Sequence, residues 1–161
     1  MEKQEFTPED KLHNYLGIEL NIQTWNLLGQ KKRTNDDNIR MIQFAKGSLF
    51  HWERSPVWEP INTQRGEWML SHVYAVLEKG ELALTHAEKC LELTRKHGFD
   101  GFDLAYAYEC MARALACLGK TKEYTKFYDL AESFGNKIEG EEDKKIFLSD
   151  LKSQPWFGAK K

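Results

Sequence analysis

Shifted by 41 positions, the stretch from Arg65 to Leu93 falls on the stretch from Tyr106 to Phe134. Leu70 then meets Met111, Ser71 meets Ala112, Tyr74 meets Leu115, Ala75 meets Ala116 and Leu77 meets Leu118. Further on, Ala83 meets Tyr124, Ala87 meets Tyr128 and Cys90 meets Ala131. Large apolar positions mostly stay apolar and small ones mostly stay small. Small residues where helices cross let the axes approach, and large ones fill the holes between them. A unit that repeats in this way is a helical hairpin that buries its face against the next hairpin.

The punctuation along the chain agrees with a run of helices. Thr7-Pro8-Glu9-Asp10 reads as a helix start, with a capping threonine, a proline in the first turn and two acids at the positive end of the helix dipole. Tyr15, Ile18, Ile22 and Trp25 follow as an apolar stripe at helical spacing, with Glu19, Gln23 and Asn26 on a different face and Gly29 as the stop. Lys31-Lys32-Arg33 is a basic triplet, but Asp36 and Asp37 follow at once, so it reads as a solvated loop before an acidic helix start. A second helix spans about 36–54, with Ile39, Ile42, Leu49 and Trp52 as apolar positions. Pro56 and Pro60 break the pattern. Further helices are expected over about 63–78, 81–97, 101–118 and 122–137, and a short one from Glu141 that ends before Pro155. The fold class is therefore all-α: stacked antiparallel helical hairpins over 1–161 as one domain, with hairpins at about 7–54, 63–97 and 101–137 and a capping helix at about 141–153. Four prolines in 161 residues suit long helices.

The chain carries 23 Lys and Arg against 25 Asp and Glu, a formal charge of −2. That balance makes no electrostatic case for nucleic acid or an anionic membrane surface as partner. The charged start Met1-Glu2-Lys3 is not followed by a signal-peptide core, and no stretch is apolar enough to span a bilayer. Three cysteines, Cys90, Cys110 and Cys117, form no C-x-x-C pair and read as small buried hydrophobes. An odd number of thiols without a secretion signal predicts a cytoplasmic protein.

Leu70-Ser71-x-x-Tyr74 resembles the first-helix pattern of the tetratricopeptide repeat family, and Tyr108-x-x-Met111-Ala112-x-x-Leu115 is a looser copy. Ala83-x-x-x-Ala87-x-x-Cys90 and Tyr124-x-x-x-Tyr128-x-x-Ala131 resemble its second helix. The resemblance covers about 65–137 and, more loosely, 12–52. The period is longer than the family's ~34 residues, and Arg95 and Asn136 stand where its closing proline falls. The chain is also similar to a set of bacterial proteins that share Gly66-Glu67-Trp68 and Tyr108-Glu109, a resemblance that brings no activity with it.

In such arrays the first helix of each hairpin lines a concave groove. The resemblance therefore implies a ligand-binding lining of Arg65, Trp68 and His72 from one helix and Tyr106, Glu109 and Arg113 from another. Helical spacing independently puts each triplet on one face, opposite the core residues Leu70, Val73, Tyr74 and Leu77. A polar, aromatic-walled groove of this kind suits a protein or peptide segment or a small anionic ligand, with the arginines as forked donors. The competing reading makes Glu109 and Arg113 an exposed i,i+4 pair, worth only about 0.3–0.5 kcal/mol, and Trp68 ordinary packing.

Other chemistries find less support. The five histidines form no H-E-x-x-H or H-x-x-x-H arrangement, although His13, His51, His72 and His86 fall on four helices that a bundle could gather. No serine or cysteine sits in a nucleophile motif, no glycine-rich phosphate loop is present, and no cofactor is implied. Two alternatives to a binding scaffold remain open: an enzyme or metal protein using His51, His72 and Glu109, and a structural homo-oligomer such as a homodimer, with Trp58 or Trp156-Phe157 as contacts.

Overall fold

A computed structural model describes residues 4–159; Met1 to Lys3, part of the charged start considered above, lie outside them. Within the described residues seven α-helices follow one another: α1 Pro8–Leu28, α2 Asn35–Trp52, α3 Pro60–Val76, α4 Gly80–His97, α5 Gly101–Cys117, α6 Thr121–Asn136 and α7 Glu141–Lys152. Among the described residues there is no strand. The all-α class and the pairing of adjacent helices into hairpins hold. No described helix is long and apolar enough to cross a membrane.

Local chemistry explains the helix starts. Thr7 and Thr34 each accept the backbone N–H three residues on, and the carboxylates of Asp10 and Asp37 reach back to the threonine N–H. These two capping boxes satisfy donors that would otherwise lack a partner. The third helix begins at Pro60, earlier than the break at the prolines suggested. Proline fits the first helical position because that residue's N–H has no partner in the helix anyway, and the Asn62 side chain accepts from Glu59 N–H at 2.7 Å. α4 ends at Gly98, whose left-handed φ of 65° suits glycine.

The molecule divides into two compact units, one up to Gly66 and one from Glu67 onward, the division falling within α3. In the first unit α1 and α2 pair closely because glycines open the space. A Cβ on Gly17 would meet the Trp52 indole at 3.1 Å, and one on Gly47 would meet Leu20 at 2.8 Å. Ser48 Oγ donates to the Gly17 carbonyl at 2.7 Å across the same crossing. The stripe Tyr15, Ile18, Ile22 and Trp25 does not take part in this contact: it is exposed, while Gly17, Thr24 and Leu27 form the buried side of α1.

In the second unit α5 is the central helix and packs against α4, α6 and α7. The small repeat positions Ala75, Ala83, Ala87, Ala112, Ala116 and Ala131 are all buried, as are Leu70, Tyr74, Met111, Leu115 and Tyr124. Cys90 and Cys110 are buried free thiols and Cys117 is partly covered. α7 packs on α6 by setting the fully buried Phe147 ring against Gly135, with no room there for a side chain.

Candidate functional site

Trp68 and His72 lie one turn apart on α3, and Tyr106, Glu109 and Arg113 follow at three- and four-residue steps on α5. The structure brings these five together. The Trp68 indole N–H donates to Glu109 Oε2 at 2.9 Å, joining two residues that the 41-residue offset pairs. Trp68 also stacks on His72, with centroids 5.0 Å apart and planes 12° off parallel, and meets Tyr106 edge-on at 5.3 Å. Glu109 Oε1 accepts from Arg113 Nε at 2.5 Å. Arg65, the sixth predicted residue, is exposed and belongs to the first unit.

The α5 side of the lining is closed to water, while Trp68 and His72 on α3 are half-buried. Glu109 and Arg113 are each 1% exposed, so the i,i+4 pair is real but is not a surface pair. What covers it is the chain's own C-terminal segment. Arg113 Nη1 donates to the carbonyls of Ser153 at 3.1 Å and Pro155 at 2.9 Å, and Nη2 donates to that of Asp150 at 3.2 Å. The guanidinium carbon sits 4.1 Å from the centroid of the Trp156 ring, a cation–π arrangement. Trp156 itself is buried against Tyr124 and Tyr128, and its indole N–H donates to the Leu151 carbonyl at 3.0 Å. Trp156 is therefore engaged internally and is not an exposed oligomer contact.

Burial sets the electrostatics. The His72 imidazole is pushed down to about 4 by loss of solvent, with Arg113 adding to the fall and Glu109 opposing it; it is neutral, and its buried Nδ1 has no hydrogen-bond partner. The Tyr106 hydroxyl donates to Asp150 Oδ2 at 2.6 Å. Burial first, and that hydrogen bond second, raise its pKa far above the ordinary tyrosine value. The site holds neutral His and Tyr around one compensated ion pair, and a guanidinium that reads main-chain oxygens.

The histidines that the sequence placed on four helices are not gathered into one cluster but form separate polar contacts. His86 Nδ1 lies 2.5 Å from Glu67 Oε2, and its ring stacks on Tyr74. In the first unit His13 and His51 meet Nδ1 to Nδ1 at 2.9 Å, so one ring donates and the other accepts. Burial, then the neighbouring His13 and Arg54, lower the His51 pKa. Helical periodicity gives no signal for such cross-helix partners. The same holds for Asp150, Ser153 and Pro155, which reach the site from outside the repeat. Among the described residues no three His, Cys, Asp or Glu side chains converge to hold a metal ion. No family model, curated protein or solved structure matches the chain.

Proposed function

We propose that this chain is a tetratricopeptide-like helical binding scaffold that takes a peptide segment of a partner protein on the surface formed by Trp68, His72, Tyr106, Glu109 and Arg113, in a cytoplasmic setting. The observation that carries the reading is the set of three main-chain carbonyls held by Arg113. A planar fork of donors fixed by a carboxylate is suited to reading polypeptide backbone, because the fork loses little freedom on binding. The C-terminal segment is then a resident occupant, and a partner peptide competes with it by offering an aromatic ring and two or three carbonyls in the same order. A peptide is favoured over a small anion because Glu109 already compensates the Arg113 charge.

The test weakens the occupant and offers its sequence from outside. In full-length Trp156→Ala, a fluorescent peptide with the sequence of residues 149–159 should bind, with a rise in anisotropy that saturates. Adding Arg113→Lys, which keeps the charge and loses the fork, should remove that binding. Folded Trp156→Ala protein that takes up no such peptide would exclude the reading.

A further inference from the structure

The outward face of α1 has the pattern of a second, separate contact surface. Tyr15, Ile18, Ile22 and Trp25 are 59%, 43%, 46% and 46% exposed, a continuous apolar stripe on the side of the helix away from the buried Gly17 and Thr24. Apart from His13, the only acidic or basic side chain between Leu12 and Leu28 is Glu19, and the Gln23 amide donates to its carboxylate at 2.8 Å. A helix that is apolar on both sides is one that is covered on both sides.

The spacing identifies the occupant. Steps of three, four and three residues are the a and d positions of two heptads, the seam along which helices supercoil. The stripe is also symmetrical about position 20: residue numbers 15 and 25, and 18 and 22, add to the same total. We propose that α1 pairs with α1 of a second copy of this chain, antiparallel, about a two-fold axis level with Leu20. Tyr15 then packs on the second copy's Trp25, and Ile18 on its Ile22, each contact occurring twice, as an isologous interface requires.

Two aromatic and two aliphatic side chains about half exposed present roughly 400 Å² of apolar surface per copy. With the residues that flank the seam, the total approaches the ~1,200 Å² at the lower end of specific interfaces. This fits a dimer that dissociates in the micromolar range. An unrelated partner would have no need of a symmetrical register.

Sedimentation velocity of the full chain from about 1 to 300 µM should show a concentration-dependent dimer. Ile18→Glu and Ile22→Lys should each weaken it at least ten-fold while circular dichroism shows an intact helical fold. Because position 18 faces position 22 of the other copy, mixing the two variants should restore a heterodimer, with one Glu–Lys pair and one Ile–Ile pair. Should either variant fail to fold, Tyr15→Ser at the most exposed position gives the same loss. A chain that stays monomeric throughout this range has another occupant on the stripe, and that result overturns the proposal. So does a dimer indifferent to these substitutions, or a mixture in which association is not restored.

Discussion

Glu109 and Arg113 are one turn apart and both sealed from water, so each depends on the other's charge. Removing one partner strands a buried ion, which costs about 3–5 kcal/mol, whereas removing both costs much less. Arg113→Met should therefore destabilise the protein more than the double variant Glu109→Gln/Arg113→Met does, as read by urea unfolding; additive losses would mean that the two charges are not coupled. His72 offers a test with a definite sign. Its folded pKa of about 4 lies below the ordinary 6.5, so between those values the unfolded chain binds the proton and the folded chain does not. Its contribution to stability is complete above pH 6.5 and is lost as pH falls towards 4, by about 3 kcal/mol at most. His72→Phe keeps a ring against Trp68 and should lose less stability than the parent between pH 7 and pH 4.5; equal acid sensitivity of the two proteins would show that His72 is not the titrating group.

Helix packing depends on positions where nothing larger fits. A Cβ on Gly135 would overlap the buried Phe147 ring, and overpacking of a filled site costs about 1–3 kcal/mol. Gly135→Ala should lower the melting temperature and loosen α7, visible as faster amide exchange over 141–152; unchanged exchange would mean that the ring can move aside. Leu70 and Leu115 occupy repeat-core positions and are buried. Truncating either to Ala should cost about 2–5 kcal/mol, while His97→Ala, at the exposed end of α4, should leave the melting temperature unchanged. These core positions were legible in the sequence because a side chain on a buried helix face repeats at a fixed interval. The pairing of Trp68 with Glu109 was legible for the same reason: equal positions in successive hairpins stand beside each other. The burial of Arg113 beside Glu109 was not, because Asp150 and Pro155 approach the guanidinium from a segment with no periodic relation to α5.

For the whole molecule, the near balance of charge sets what the surface attracts. With a formal charge of −2 and the basic triplet beside two aspartates, no salt-sensitive binding to duplex DNA or RNA is expected at physiological ionic strength. A gel-shift or anisotropy titration that found it would show a basic surface hidden in the average composition. The proposed peptide surface and the α1 stripe lie in different units, so substitutions in one are informative about the other only as controls.

The sequence alone determined the seven helices, most of their ends and the inward faces from α3 to α6. Caps, prolines and periodicity act within a few residues and leave their mark locally. Tertiary structure decided the rest. It set the C-terminal segment over Arg113, joined His86 to Glu67 and His13 to His51, and turned the apolar stripe of α1 outward. Each of these outcomes depends on which of several chemically suitable groups comes within about 3 Å of another, and that distance is set by the packing of helices far apart in the chain.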